Sequence, residues 1–100
     1  MTTIVRTVET CRSVPSQWDA WTSTGQYLYL RYRFGIGTVD AYDSPDETTW
    51  PDHPLGTLAR FGESNWDGTI ELEEFCERAG LVLAPDAVQV PWAEYDGRRA

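Results

Sequence analysis

This 100-residue chain has few of the features that place a protein in a membrane or in an oxidising compartment. No apolar run approaches the roughly 20 residues that cross a bilayer. The first ten residues, MTTIVRTVET, lack the apolar stretch of a signal peptide. Cys11 and Cys76 lie far apart and outside any C-x-x-C motif, which favours two reduced thiols over a disulfide or a zinc site. We therefore expect a cytoplasmic protein that does not enter a membrane.

Residue patterns for catalysis are equally scarce. The single histidine, His53, lies in the sequence PDHP with no Ser or Cys nearby to activate. The carboxylates Asp43, Asp46 and Glu47 occupy the same proline-rich region, where acids usually serve solubility. The GIG motif is followed by neither a helix pattern nor a lysine, so it does not predict a phosphate-binding loop. We predict that the protein is not an enzyme and uses no cofactor.

Lysine is absent, and all eight basic residues are arginine against sixteen acids, giving a net charge of −8. The charge is polarised along the chain. Residues 1–39 hold four Arg and two acids, whereas residues 40–96 hold fourteen acids and two Arg, so the net charges of these segments are +2 and −12. Because an acidic protein is repelled by phosphate backbones and anionic lipids, this balance disfavours nucleic acid as a direct ligand. A basic protein partner, or a protein surface that normally holds nucleic acid, fits the charge.

The composition supports a folded domain, because 41% of the residues are hydrophobic and the chain contains five Trp, five Tyr and three Phe. A chain of this length predicts a single domain over residues 1–100. Residues 43–54, rich in Pro and Asp, are predicted to form an exposed loop, and the residues from about 91 a loosely ordered tail.

The clearest strand signal is QYLYLRYRFG, residues 26–35. Its period of two separates the side chains into two faces. One face, predicted to point to the core, carries Leu28, Leu30, Tyr32 and Phe34. The other face carries Tyr27, Tyr29, Arg31 and Arg33. The β-branched residues of 2–10 predict a first strand, and 38–42 can return beside 26–35 after a turn at Gly35-Ile36-Gly37, giving an antiparallel meander.

One amphipathic helix is predicted at about 70–79, because Leu72, Phe75, Cys76 and Ala79 recur with helical spacing and Gly80 follows. Weaker signals predict a loop or helical turn over 11–25, two helical turns over 55–61 and a short strand over 81–83. The predicted fold class is α+β: a small antiparallel sheet of three to four strands with the helix packed on one face.

The twelve residues ESNWDGTIELEE, 63–74, resemble an EF-hand calcium loop. Such a loop places oxygen ligands at positions one, three, five, seven, nine and twelve, and a glycine at position six. Here the ligand positions hold Glu63, Asn65, Asp67, Thr69, Glu71 and Glu74, and Gly68 is sixth. The resemblance implies a calcium-binding structural or sensing module.

Three features of residues 63–74 fit a simpler interpretation. Position one is Glu where the EF-hand pattern has Asp, the preceding helix signal is interrupted by Gly56, and no second loop is found in the chain. In the simpler interpretation Asp67-Gly68 forms a turn, Thr69 caps the helix, and the glutamates are its solvated first turn.

The Tyr/Arg strand face is the predicted partner-binding surface. Tyr, Trp and Arg are enriched at binding hot spots, and they also stack on single-stranded bases. The predicted contact residues are Trp18, Trp21, Tyr27, Tyr29, Arg31 and Arg33. The alternative is that the helix covers this face, or that its residues only make cross-strand pairs.

The runs VPSQWDAWTSTGQYLYLRYRFGIGTV and DGTIELEEFCERAGL resemble small proteins encoded by actinobacterial phages and their hosts. The all-arginine usage fits the GC-rich coding sequences of that group. The resemblance implies an accessory or host-interaction protein of the host cytoplasm. We predict a small accessory or inhibitory factor that binds a protein partner. The alternatives are the calcium module and a mimic of nucleic-acid charge, which requires the acids to cluster on one face.

Overall fold

The computed structural model describes residues 2–11 and 15–92, which form a six-stranded mixed β-sheet with one α-helix on one face. The strands are β1 (Thr3–Cys11), β2 (Ser16–Thr22), β3 (Tyr27–Arg33), β4 (Ile36–Tyr42), β5 (Gly56–Gly62) and β6 (Val82–Val90). The helix α1 spans Leu72–Ala79, and a single 3-10 turn spans Glu47–Thr49. None of the described helices is long and apolar enough to cross a membrane.

The sheet has the strand order β5-β4-β3-β2-β1-β6. The first five strands form an antiparallel meander in which each strand pairs with the next along the chain. The chain then crosses one face of the sheet through α1 and adds β6 parallel to β1 at the opposite edge. This crossover places α1 on one face of the sheet, and no α-helix of the described residues lies on the other face.

The core lies between α1 and the sheet. Phe75 of α1 is fully buried, packs at 5.6 Å from the Trp18 ring and meets the Phe61 ring edge-on at 5.0 Å. The strand side chains beneath it are small or branched. They include Ile4, Ala20, Leu28, Leu30 and Val39, each with 0% exposure. The apolar side chains at helical spacing in α1 thus pack on the alternate side chains of β3 in one apolar layer.

The predicted fold class is wrong. The sheet has six strands instead of three or four, it is mixed instead of antiparallel, and the chain is mostly sheet with one short helix. The prediction undercounted strands because Pro and Gly indicated a loop over the β2 segment and an extended tail over most of β6, and the spacing of Leu55, Leu58 and Ala59 indicated helical turns in the β5 segment.

Strand β2 occupies the segment that we predicted to be a loop or a helical turn. Its residues alternate between burial and partial exposure, with Ser16, Trp18, Ala20 and Thr22 buried. Pro15 lies just before the strand, where it displaces no ladder hydrogen bond. Pairing with both β1 and β3 stabilises an extended conformation that the local sequence only weakly favours.

Strands β5 and β6 correct two further predictions. Residues 55–61, predicted as helical turns, lie mostly in β5, where pairing with β4 turns Ala59 and Phe61 toward the core. The strand predicted over 81–83 continues to Val90. Pro85 is tolerated because β6 is an edge strand whose register beside β1 jumps from Leu83 to Val88.

The helix prediction is confirmed at its C-terminus and on its buried face. Leu72, Phe75 and Cys76 are buried, and Gly80 ends α1 in the left-handed conformation with φ 75°. The N-terminus differs from the prediction. The helix begins at Leu72 after Glu71, without a side-chain cap, so the proposed Thr69 cap is wrong.

The β3–β4 turn also differs from the prediction. It comprises Phe34 and Gly35, with φ values of 53° and 77°, between the paired residues Arg33 and Ile36. Two successive left-handed residues define a type I′ hairpin, whose twist matches that of the strands. Phe34 therefore lies in the turn with 45% exposure and does not join the core face where we predicted it.

The predicted loop over 43–54 contains the 3-10 turn and is mostly exposed. Its N-terminal half is ordered by Asp46, which accepts hydrogen bonds from the Thr48 N–H at 3.0 Å and the Thr48 hydroxyl at 2.7 Å. The predicted loose tail from about residue 91 falls largely on residues 93–100, which lie outside the described residues.

Candidate binding surface

The sheet face opposite α1, here called the open face, carries polar and aromatic side chains in cross-strand rows. One row joins Trp21, Tyr27 and Tyr42. The next joins Asp19, Tyr29, Asp40 and Thr57. The third joins Gln17, Arg31, Thr38 and Arg60. Since alternate residues of a strand point to opposite faces, the apolar α1 side and these rows are built from the same strands.

Trp50, from the loop before β5, covers the aromatic row. Its ring stacks on Tyr42 with centroids 3.9 Å apart and planes inclined by 6°, and it lies 5.2 Å from the Tyr29 ring. The Trp50 indole N–H donates to the Ser44 carbonyl at 2.6 Å, which holds the loop over the sheet. Tyr27 is buried beneath this contact. The loop therefore occupies one end of the open face.

The buried Tyr27 and the half-buried Asp19 form a hydrogen-bonded pair beside the Trp50 contact. The Tyr27 hydroxyl donates a short hydrogen bond to the Asp19 carboxylate. Burial raises the pKa of Asp19 above its usual value, the Tyr27 hydrogen bond opposes this rise, and the nearby charge of Glu47 adds to it. Burial and the Asp19 hydrogen bond also raise the pKa of Tyr27. Tyr27 is thus held as a neutral donor.

Asp19 of this pair borders a cleft of about 420 Å³ between the sheet and the loop. Its lining comprises Thr10, Gln17, Asp19, Tyr29, Pro45, Asp46, Glu47 and Thr48. Three of these side chains are acidic and none is basic. Burial raises the pKa of Tyr29 to about 12, so its hydroxyl is also neutral at physiological pH. This end of the open face is therefore acidic and suited to hydrogen-bond donors or cations.

The opposite end of the open face holds a cavity of about 380 Å³ whose charged lining residues are all basic. We call it the arginine cavity, and it is lined by Arg31, Arg33, Phe34, Ile36, Thr38, Arg60 and Ser64. Within residues 2–11 and 15–92, none of its three arginines forms an ion pair, and the buried Arg31 Nε has no hydrogen-bond partner. Three guanidinium groups without carboxylates thus converge in a protein of net charge −8.

The other described arginines, Arg6 and Arg78, do not line the cavity. Arg78 lies 3.7 Å from the Glu74 carboxylate and 4.7 Å from the Phe61 ring centroid. Arg6 lies over the Trp21 ring at 5.6 Å. Each of these contacts is a common surface arrangement. Arg33 of the arginine cavity makes a similar contact, with its guanidinium 4.9 Å from the Phe34 ring centroid. The arginine cavity therefore differs from the surroundings of Arg6 and Arg78 in bringing three arginines together without a carboxylate in its described lining.

Two exposed aromatic residues belong to the turn and the loop that contribute side chains to the arginine cavity. Phe34 lines it, and the neighbouring loop is attached to the turn by the Asn65 N–H, which donates to the Phe34 carbonyl at 2.8 Å. Trp66, the next residue in that loop, is 93% exposed. Large apolar side chains at such exposure are often contact residues of binding surfaces.

The six predicted partner-binding residues separate into three groups. Trp18 lies on the α1 face, buried against Phe75, and is not on the predicted surface. Trp21, Tyr27 and Tyr29 lie on the open face but are buried or half-buried, in part under Trp50. Arg31 and Arg33 both line the arginine cavity. The helix does not cover this face, contrary to one alternative that the sequence left open.

The sequence patterns did not identify the residues that line the cavity together with Arg31 and Arg33. Arg60 was overlooked because residues 55–61 were assigned to a helix, which hid its position two strands away from Arg31. Thr38 carries no distinctive signal in the sequence. Only the register of β3, β4 and β5 brings these residues into one row.

Residues 63–71 of the segment predicted to bind calcium form an irregular loop between β5 and α1, and residues 72–74 are the first turn of α1. The element entering the loop is a strand, whereas an EF-hand loop is entered by a helix. Two of its carbonyls already accept hydrogen bonds from the sheet: Gly35 N–H donates to Asp67 at 2.8 Å and Ser16 N–H to Gly68 at 2.9 Å. Asn65 Oδ1 accepts from the Asp67 N–H at 2.7 Å.

No three His, Cys, Asp or Glu side chains of residues 2–11 and 15–92 are grouped to hold a metal ion. Calcium binding by Glu63, Asn65, Asp67, Thr69, Glu71 and Glu74 stays a prediction, and calorimetric titration of the protein and its Glu74→Gln variant tests it. Saturable heat that the variant lacks would support the site.

The acids that the charge-mimic hypothesis requires are divided between the two sides of the sheet. Asp19, Asp46 and Glu47 line the cleft on the open face, whereas Glu9, Glu71 and Glu74 line a cavity beside α1. His53 is exposed in its loop. The charge-mimic and non-enzyme predictions remain predictions.

No family model, curated protein or solved structure matches this chain.

Proposed function

We propose that this protein is a small accessory or inhibitory factor that binds a protein partner through the arginine end of its open face. The observation that carries the proposal is the combination of three arginines without ion pairs among the described residues and the exposed Phe34 in one cavity, whose neighbouring loop, through Ser64, also carries the exposed Trp66. Arg and Trp are enriched at binding hot spots because they join a large contact area to directional hydrogen bonds.

The structure supports a protein surface more readily than an extended nucleic acid as the ligand. Along the same face, the Asp19 row and the acidic cleft follow directly after the arginine row. A polyanion laid across the face would meet those acids, whereas a protein can present an anion at one end and hydrogen-bond donors at the other.

The test is affinity capture from an actinobacterial lysate by the immobilised protein, with bound proteins quantified by mass spectrometry. The test variant is Phe34→Asn/Trp66→Ser. Asn is favoured before Gly35 in a type I′ turn, so the substitution removes the aromatic ring and keeps the hairpin. We expect at least about a tenfold loss of the specific partner, the size of a hot-spot effect.

The control variant is Leu55→Ser, which removes an apolar side chain that is 59% exposed outside the arginine cavity. It should retain the partner. Nuclease treatment of the lysate should leave capture unchanged if the partner is a protein. An identical set of bound proteins for the wild type and both variants would contradict the proposal.

A further inference from the structure

We propose that the arginine cavity is a binding site for a phosphate group, presented as a phosphorylated side chain of the protein partner. The site itself is argued from the cavity alone. Only the carrier of the phosphate rests on the function proposed above.

The register places the Cα atoms of the three arginines around Thr38. Arg31 and Arg60 flank Thr38 in one cross-strand row, so their Cα atoms are separated by two strand spacings, about 10 Å. Arg33 follows Arg31 by two residues on the same strand, about 7 Å away. Arginine side chains are long enough to converge from these positions on one group above Thr38.

One buried donor of this cavity lacks an acceptor among the described residues. The Arg31 Nε is shielded from solvent and has no hydrogen-bond partner among the described residues. A buried charged donor without an acceptor is costly, and nearly all such groups in native proteins are satisfied by protein, water or ligand. An anion in the cavity would satisfy Arg31 and reduce the repulsion among the three positive charges.

The donor set matches a phosphate group better than a carboxylate. Each guanidinium presents a planar fork that can bind two oxygens, and the Thr38 and Ser64 hydroxyls on the cavity wall add further donors. A carboxylate has two oxygens for these five groups, whereas a phosphate monoester has three terminal oxygens and up to two negative charges. The cavity, at about 380 Å³, has room for the phosphate and part of its carrier.

The charges around the cavity favour one compact anion over a polyanion. Asp40 lies on the same face one row beyond Thr38, with its carboxylate accepting a hydrogen bond from the Thr57 hydroxyl at 2.7 Å. Asp19 and Glu47 lie farther along the face. A nucleic acid places several phosphates in succession and would meet these carboxylates, whereas one phosphorylated side chain need not.

The experiment titrates the purified full-length protein with inorganic phosphate, O-phosphoserine and acetate at constant ionic strength, monitored by NMR of the Arg31 Nε–H and the backbone amides. We expect saturable shifts around the cavity with the two phosphate probes and weaker binding of acetate. Arg31→Gln and Arg60→Gln should each weaken O-phosphoserine binding by at least about tenfold, since each removes charge-assisted hydrogen bonds.

The matched control is Arg6→Gln, which removes the same charge from the same face at a site that stacks on Trp21. It should bind O-phosphoserine almost as the wild type does. Arg60 is an exposed residue of an edge strand, so Arg60→Gln should leave the fold intact. It therefore still tests the site if Arg31→Gln disturbs folding. Absence of saturable binding at millimolar phosphate, or an equal loss in Arg6→Gln, would overturn the site.

Two further measurements test the carrier. Phosphatase treatment of the lysate should abolish capture of the partner, and unchanged capture would overturn the assignment of the phosphate to that protein. A short single-stranded DNA that binds more tightly than O-phosphoserine would overturn it in favour of nucleic acid. Because the titrations need no partner, failure of the phosphate site and failure of the proposed partner binding give separate results.

Discussion

The two faces of this sheet are made by the same strands but are stabilised by different forces. On the α1 side, Leu28, Leu30 and Phe75 are fully buried in an apolar layer. On the open face, Tyr29 and Arg31 are half-buried among stacked rings, hydrogen bonds and charges. The difference indicates that the first face supplies most of the stability, while the second retains polar groups suited to binding.

The largest effect should come from the α1 face. Phe75→Ala removes a fully buried ring that contacts both Trp18 and Phe61. We expect the free energy of unfolding, measured by urea denaturation, to fall by about 3–5 kcal/mol. A loss comparable to that of an open-face substitution would show that the two faces do not differ as described.

On the open face, the hydrogen bond between Tyr27 and Asp19 should have the next largest effect. Tyr27→Phe leaves a half-buried carboxylate without its donor, and we expect a loss of about 2 kcal/mol at neutral pH. Tyr29→Phe is the matched control, because it removes a neighbouring hydroxyl and leaves that hydrogen bond intact. Similar losses in the two variants would contradict a specific role for the pair.

The loop that covers the aromatic row should contribute less. Trp50→Ala removes the stack on Tyr42, and we expect a loss of about 1–2 kcal/mol, since the Trp50 ring is only partly buried. Trp66→Ala provides the comparison, because a ring that is 93% exposed should change stability by less than about 0.5 kcal/mol. Equal effects of the two substitutions in urea denaturation would exclude an anchoring role for Trp50.

The smallest effect is the pH dependence due to Asp19. Burial raises the folded-state pKa of Asp19 above 3.8, so its protonated form is favoured in the folded protein. Its contribution to stability is fully present below the unfolded-state pKa and is lost as the pH rises through the folded-state pKa. The stability of the wild type relative to Asp19→Asn should therefore fall over that pH range and become constant above it. If the stability of the wild type relative to Asp19→Asn rises with pH instead, the prediction is wrong.

Sequence patterns predicted the elements whose signals are local. The alternation in β3 and the helical spacing of Leu72, Phe75 and Cys76 identified these elements and their buried faces. Strands β2 and β5 were missed because their stability comes from pairing with neighbours on both sides or from packing against α1. Local propensity does not contain that contribution.

The candidate site was predicted only in part for the same reason. Arg31 and Arg33 are recognisable within one strand, because their alternation is visible in the sequence. Arg60 joins them through the register of two further strand pairs, and Ser64 through a loop attached to the β3–β4 turn. The covering role of Trp50 likewise depends on where its loop folds back. Such long-range placements have no signature in sequence spacing.

The parallel pairing of β1 with β6 has a consequence for how the chain folds. Thr3 pairs with Val82, so the last described strand completes the sheet beside the first. The five-stranded meander can form from neighbouring segments, but one edge of β1 stays open until almost the whole described chain has been synthesised. Closing so long a loop is slow, and the final strand should therefore limit the folding rate of the sheet.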